Sequence, residues 1–269
     1  DAIVRLAVEV GADAIHPGYG FLSENPQFAR KCAENGVIFI GPDPEIMEQL
    51  GDKVSAKLVA HACSVPIIES NKEELSTVET AEAEAQRIGF PVMLKAAAGG
   101  GGRGMRVLRS LEDLRKGFPE AKREALNAFG DDTVFLEKYV ENPKHIEVQI
   151  AGDRHGNIVH LYERDCSVQR RFQKVIELAP APNLPETTRE AILNHALAIA
   201  KHVGYNNVGT VEFLVDKDWN IYFIEVNPRI QVEHTVTEMV TGIDLIKTQI
   251  FVAAGYKLSD PQIKIANQE

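Results

Sequence analysis

Two hydrophobic rhythms take turns along this chain, one at helical spacing and one in short apolar or alternating runs. Ala2, Ile3, Leu6, Ala7 and Val10 share one helical face with Gly11 as a stop, and Ala14 and Ile15 then begin a strand. Asn25 and Pro26 read as N-cap and first residue of a helix closed by Gly36, before an apolar strand over 37–40. Short helices are predicted over 44–50 and 52–62, a strand over 65–68, and a helix from a Ser76/Glu79 capping box to Ile88. A strand over 91–95, a glycine-rich stretch, a strand over 105–108, a helix over 111–129 and a strand over 133–137 follow, which together suggest a small α+β lobe across about 68–140. Ile146, Val148 and Ile150 alternate with His145, Glu147 and Gln149, the mark of a half-buried strand, and Gly156-Asn157 turns it antiparallel into 158–163. A helix over 186–203, a hairpin over 208–226 and a last helix over 235–254 complete the pattern of an α/β and α+β protein.

Composition narrows the function classes. A chain of 269 residues makes one large or two small domains with a real core. A net charge of −10 repels a phosphodiester backbone, so nucleic acid is not an expected partner. Cys32, Cys63 and Cys166 are odd in number and lack CxxC spacing, which argues against a disulfide framework or a zinc site. A reducing compartment follows, with the cytoplasm as default location and the mitochondrial matrix as the alternative for a eukaryotic source. No run approaches the roughly 18 apolar residues of a membrane span, and no leader precedes residue 1, so no membrane is expected as partner. The opening helix lacks the strand that precedes a helix in an α/β unit, so the chain is expected to begin inside a domain, and targeting is left unread.

Four segments carry candidate chemistry. Gly99-Gly100-Gly101-Gly102-Arg103-Gly104 lies between two strands, and such glycines let successive N–H groups converge on phosphate oxygens. The bland reading is a flexible hairpin, but Lys95 at the base and Arg103 at the tip fit a flap over triphosphate. Neither a Walker loop nor a dinucleotide fingerprint is present. In the hairpin of Gly209 to Asn227, pairing Asp216 with Ile221 would set Glu212 opposite Glu225 among apolar side chains. Opposed carboxylates require a proton or a cation between them, and Asn227 on the same face adds a neutral oxygen, which suits Mg²⁺ or Mn²⁺. The rival is a pair of solvated glutamates. Asn227-Pro228-Arg229-Ile230-Gln231-Val232-Glu233-His234, if extended, puts Arg229, Gln231 and Glu233 on one side beside that cation, where an arginine can stabilise an oxyanion and a carboxylate can accept a proton. The fourth segment, Glu163 to Lys174, is dense in charge, and charge runs are usually solvated faces. The isolated His61, His155, His195 and His202 read as surface or helix residues, and Cys166 as a small packed thiol.

Together these strings resemble a known family. His16-Pro-Gly-Tyr-Gly-Phe-Leu-Ser-Glu-Asn25, Gly51-Asp-Lys53, Lys95 with its glycine loop, Glu137-Lys-Tyr-Val140, Lys144-His145-Ile-Glu147, Glu163 to Lys174 and Asn227 to His234 are similar to the biotin carboxylase component of biotin-dependent carboxylases. The likeness runs from Asp1 to about Asp260, and Glu124-Ala-Leu-Asn-Ala-Phe-Gly130 and Leu161-Tyr-Glu-Arg-Asp-Cys166 are most similar to its pyruvate carboxylase branch. It implies the ATP-grasp fold: a partial Rossmann-like α/β domain over 1–50, then an ATP-grasp domain over 51–269 with a lid at about 68–140 and an antiparallel sheet at about 141–255.

The resemblance also implies a set of contacts. ATP would lie between the lid and the sheet, touched by Lys53, Lys95, His145, Glu212 and Glu225, with adenine at Glu137, Lys138, Tyr139 and Val140 and the triphosphate under Gly101 and Gly102. Glu212, Glu225 and Asn227 match the Mg²⁺ or Mn²⁺ positions. Lys174, Arg229, Gln231, Val232 and Glu233 match the bicarbonate site, with Lys174, Arg229 and Glu233 in catalytic roles. The implied reaction is ATP-dependent carboxylation of biotin through carboxyphosphate. Biotin would be carried on another domain, since no Met-Lys-Met attachment string is present, and a carboxyltransferase domain and a homo-oligomeric parent complete the expected partners. Phe172 stands where the family usually has His, removing a polar group near the nucleotide, and the family's first strand and a downstream arginine for the biotin enolate have no counterpart. Three alternatives stay open: a biotin carboxylase of an acetyl-CoA or propionyl-CoA carboxylase, an ATP-binding module without turnover, and a carbamoyl-phosphate-forming ATP-grasp ligase.

Overall fold

Helical spacing at the start of the chain becomes α1 (Ala2–Glu9), which buries Val4 and Ala7 in a computed structural model describing residues 1–71, 74–97 and 104–265. β1 (Ala14–Ile15) runs parallel to β2 (Ile38–Phe39), joined through α2 (Pro26–Glu34). Asn25 caps that helix by accepting from Phe28 N at 2.8 Å, with Pro26 in the first turn, where its missing N–H costs nothing. Phe28, Ala29, Cys32, Val37, Phe39 and Met47 close a small core around this βαβ element.

α3 (Pro44–Gly51) and α4 (Lys53–Ala62) follow, the second capped by Asp52. The strand expected at 65–68 is a single bridge from Ile67 to Phe223. Pro66 has no N–H to place in a ladder and offers only its carbonyl, which accepts from Phe223 N at 2.8 Å.

The chain divides into two compact units, one of residues 1–67, 144–167 and 176–269 and one of 68–143 and 168–175. The second holds α5 (Val78–Ile88), β3 (Val92–Ala96), β4 (Met105–Leu108), α6 (Leu111–Phe129) and β5 (Val134–Lys138). The strands form an antiparallel sheet in the order β4-β3-β5, packed through Val92, Leu94 and Leu136 onto Ala81, Ala85 and Leu114 of the helices. α5 is capped one residue later than the Ser76/Glu79 pattern suggests: Thr77 and Thr80 exchange side-chain-to-backbone bonds, because Thr77 is the residue with extended dihedrals. The flap residues Gly99, Gly100, Gly101, Gly102 and Arg103 lie outside the described residues.

The larger unit is built on β6 (Lys144–Gly152), β7 (Ile158–Arg170) up to Ser167, β8 (Gln173–Leu178) from Ile176, α7 (Glu186–His202), β9 (Asn207–Val215) and β10 (Ile221–Asn227). Its sheet runs β10-β9-β6-β7-β8. Ile146, Val148, Ile150, Val211, Phe213 and Phe223 face Ala56 and Ala60 of α4 and Ile192, Ala196 and Ile199 of α7. The opposite face of β6 and β9 carries His145, Glu147, Gln149, Thr210 and Glu212. Period two is therefore correct for β6, but the strand is not half-buried, since Glu147 and Gln149 are fully covered. The last predicted helix is two, α8 (His234–Thr241) and α9 (Leu245–Ala253), because Gly242 takes a left-handed conformation and Asp244 caps a new start. No helix among the described residues is long and apolar enough to cross a membrane.

Two glycines let the buried Tyr205 lie against the sheet. A Cβ at Gly152 would meet Tyr205 O at 2.1 Å, and one at Gly209 would meet Tyr205 Oη at 2.0 Å. The first clash is with backbone, which has no rotamer escape. Gly152→Ala is expected to lower unfolding free energy by about 3 kcal/mol, the upper part of the overpacking range. A urea midpoint unchanged from the parent would show that the 205–206 turn yields freely.

Candidate active site

Four side chains line up across four strands of the larger unit. Arg164 on β7 pairs with Glu147 on β6, Glu147 with Glu212 on β9, and Glu212 with Glu225 on β10. Three carboxylates in a row is an arrangement that sheets avoid without compensating charge. Arg164 closes one end of the row through Nε to Glu147 Oε1 at 2.5 Å, and Lys53 approaches the other, 3.7 Å from Glu225. Between Glu212 and Glu225 the charge is only partly offset. Burial pushes the Glu225 carboxyl above its ordinary value and the Glu212 charge pushes it further, while Lys53 pulls it back.

The predicted opposition of Glu212 and Glu225 is present, but not through the predicted register. Ile221 pairs with Val215, not Asp216, and an extra residue, Ile224, between Phe223 and Glu225 brings the two glutamates level again. Glu212 is buried, so the reading of two solvated glutamates does not hold.

Glu212 is the point on which the site's donors converge. Its Oε1 accepts from Asn227 Nδ2 at 2.8 Å and Gln231 Nε2 at 3.0 Å, and its Oε2 lies 2.8 Å from His145 Nε2. Asn227 Oδ1 accepts from Arg229 Nη2 at 3.0 Å, and Arg229 Nε reaches Glu24 Oε1 at 2.6 Å. Asn227 therefore turns its amide nitrogen, not its oxygen, toward Glu212. To serve as the neutral oxygen ligand expected from the sequence it must turn over and release Arg229. Two carboxylates opposed on neighbouring strands are the donor type that a hard divalent cation takes.

Residues 228–233 are not extended. Arg229 N bonds back to Asn227 O and His234 N to Gln231 O, so the segment folds into turns. That bend, not strand alternation, sends Arg229 to Glu24 and the Gln231 amide to Glu212. Val232 is exposed, whereas Gln231 is buried. Ligand atoms of Glu147, Cys166 and Glu233 lie within 4.8 Å of one another, as do those of His145, Glu147 and Glu212. The charged run is likewise split: Glu163, Arg164, Asp165 and Cys166 are buried, and only the residues beyond them meet solvent. Cys32, Cys63 and Cys166 form no disulfide among the described residues.

In the smaller unit Lys95 and Glu137 form an ion pair across β3 and β5. Lys138 Nζ is held by the carbonyls of Gly89 and Phe90, and the backbone N–H groups of Lys138 and Tyr139 donate to Glu69 O and Pro91 O. Those two N–H groups are thus committed within the unit, and Val140 follows them just past the end of β5. Lys174 lies on β8, after the turn made by Arg171 and Phe172, both at positive φ, with the Phe172 ring half exposed.

The family described as "Biotin carboxylase, N-terminal domain" matches residues 1–47, and "Carbamoyl-phosphate synthase L chain, ATP binding domain" matches residues 52–261. The chain belongs to the biotin carboxylase family. Its ATP-grasp fold is shared with a biotin carboxylase–β-γ-ATP complex from Campylobacter jejuni, at a TM-score of 0.91 and 52% identity over 98% of this chain and 59% of that one. The biotin carboxylase domain of Hydrogenobacter thermophilus 2-oxoglutarate carboxylase, in complex with MgADP, ADP and bicarbonate, gives 0.90 and 52% over 97% and 58%. Pyruvate carboxylase of Aspergillus niger is 55% identical over 96% of this chain and 22% of its own length. The chain thus spans about a fifth of the length of the curated relatives it matches.

Within this biotin carboxylase fold, sequence reasoning missed Arg164, Glu147 and Glu24 as site residues. Glu147 carried a signal, since it shares a strand face with His145 and Gln149. Arg164 did not: the Gly152–Ile158 pairing, run without interruption, sets Glu163 opposite Glu147, and only an extra residue near Tyr162, at φ 63°, shifts Arg164 into place. Glu24 lies 205 positions from Arg229, beyond any local pattern.

Proposed function

We propose that the chain carries out ATP-dependent carboxylation of biotin with bicarbonate, as the biotin carboxylase part of a pyruvate carboxylase. The observation that carries this is the opposed Glu212–Glu225 pair with Asn227 and Gln231 on Glu212 and Arg229 on Asn227, in a chain of this family. Glu212 and Glu225 hold Mg²⁺ or Mn²⁺, joined by Asn227 once its amide turns. When bound, the metal neutralises charge on the nucleotide's phosphoryl oxygens. Lys53, His145, Glu212 and Glu225 of the larger unit are assigned to ATP. So, from the family motif, are Lys95, Glu137, Lys138, Tyr139 and Val140 of the smaller unit, with Gly101 and Gly102 of the flap.

Bicarbonate is assigned to Arg229, Gln231, Val232 and Glu233, with Lys174 added by the motif. Glu233 accepts the bicarbonate proton, and the freed oxygen attacks the γ-phosphorus, expelling ADP and leaving carboxyphosphate. Arg229 stabilises the negative charge that develops. Carboxyphosphate gives CO₂ and phosphate, the phosphate takes the proton of the biotin ureido nitrogen, and that nitrogen adds to CO₂. The likeness to Aspergillus niger pyruvate carboxylase supports pyruvate as the final acceptor, with biotin on a carrier domain and a carboxyltransferase domain in an oligomeric parent.

The test is phosphate release from MgATP by this chain, with and without bicarbonate and free biotin, beside a calorimetric ATP titration. Stimulation by both additives is the expected result. ATP binding without stimulated release would reduce the chain to a nucleotide-binding core, and absence of binding would overturn the nucleotide assignments.

A further inference from the structure

Arg164 is the largest fully buried side chain among the described residues, and its guanidinium makes five hydrogen bonds. Nε donates to Glu147 Oε1 at 2.5 Å, one Nη to Gln149 Oε1 and Thr237 Oγ1, both at 2.8 Å, and the other to Gln231 Oε1 at 3.2 Å and Thr210 Oγ1 at 3.4 Å. A buried cation needs a counter-charge, and Glu147 supplies it. The four remaining bonds go to neutral acceptors on β6, α8, β9 and the 228–233 turn, far more than charge balance requires.

One of them has a chemical consequence. A guanidinium can only donate, so the Gln231 atom facing Arg164 must be the amide oxygen. The Gln231 nitrogen is then forced to the other side, where it donates to Glu212 Oε1. Gln149 obeys the same rule, with its oxygen on Arg164 and its nitrogen donating to Gly209 O at 2.9 Å. A lysine in place of Arg164 would keep the charge beside Glu147 but could not span these acceptors.

We propose that Arg164 is a positioning residue for the bicarbonate end of the site, fixing the Gln231 amide so that its N–H donor faces the Glu212 side. This rests on the assignment of Gln231 to bicarbonate. The experiment measures two affinities on the whole chain: that for isotope-labelled bicarbonate in the presence of MgADP, by NMR titration, and that for MgADP itself. Arg164→Lys is expected to weaken bicarbonate binding about tenfold, the worth of one oriented charge-assisted hydrogen bond. MgADP affinity should stay within about twofold, because Arg164 bonds to none of Lys53, His145, Glu212 and Glu225. In a Gln231→Ala background the same substitution should have no further effect. Undiminished bicarbonate affinity, a parallel loss of MgADP affinity, or additivity in the double variant would each overturn the positioning role. A parent chain that binds no bicarbonate would overturn the functional reading itself. If Arg164→Lys does not fold, Thr237→Val frees one side of the guanidinium and should give a smaller loss in the same direction, also absent from the Gln231→Ala background; an unchanged affinity there counts against the proposal equally.

Discussion

Glu225→Gln is expected to remove metal-dependent nucleotide binding while making the cation-free protein more stable at neutral pH. Both effects come from the opposition of Glu212 and Glu225. Because burial and the Glu212 charge raise the folded-state pKa of Glu225 above its ordinary 4.5, the native state holds that proton at pH values where the unfolded chain has released it. Stability therefore falls as pH rises from 4.5 through the raised value, and above that window the whole penalty is present. A glutamine cannot ionise, so parent and variant should unfold at similar temperatures below pH 4.5 and separate above it, with the variant higher. Adding MgATP should reverse the order at neutral pH, since binding to the native state alone stabilises in proportion to affinity. Loss of a charged ligand should weaken metal-dependent ATP binding by about 100-fold or more, given that outer-shell changes alone cost 10–100-fold. Thermal unfolding across pH, with and without MgATP, reads both arms. Unchanged metal dependence would show that the cation does not lie between these two glutamates.

How much of this site could be read from the sequence depends on what hydrophobic spacing encodes. It encodes period, and so α6, the alternating strand β6 and the hairpin of β9 and β10 are all where spacing puts them. Spacing does not encode what covers a strand's polar face. His145, Glu147 and Gln149 read as the polar face of a half-buried strand because nothing local shows that the 228–233 turn and α8 bring Gln231 and Thr237 to the same buried arginine. Nor does it encode bulges. The Glu212–Glu225 opposition was legible because a one-residue error at the turn and one extra residue at Ile224 cancel, whereas near Tyr162 a single uncompensated extra residue hid the pairing of Arg164 with Glu147. The 227–234 octapeptide alternates like a strand, yet Pro228 cannot donate to a ladder, and the chain bends there through Arg229 N to Asn227 O. The resemblance to the family compensated for part of this, because it named Gln231 and Glu233 without needing their geometry. It could not supply the amide orientations, which follow only from seeing which neighbour donates and which accepts.

Glu233→Gln is expected to lower bicarbonate-stimulated phosphate release from MgATP by about 10²–10⁴-fold, the range for loss of a positioned general base. Glu233 is the N-cap residue of α8, but its side chain makes no capping bond, so the helix start does not depend on its charge. Its carboxylate instead lies with those of Glu147 and the Cys166 thiol inside one 4.8 Å cluster, next to the turn that carries Arg229 and Gln231. Glutamine keeps the size and the oxygen acceptor but cannot take up a proton, so the deficit should fall on turnover while MgATP affinity stays within about twofold, as the nucleotide contacts lie elsewhere. Glu233→Asp retains a base at a shortened reach and should recover part of the rate, which a purely structural role for Glu233 would not predict. Bicarbonate-independent hydrolysis should be unaffected, because water needs no carboxylate placed for bicarbonate. If Glu233→Gln keeps full bicarbonate stimulation, the proton goes to another group in the same cluster.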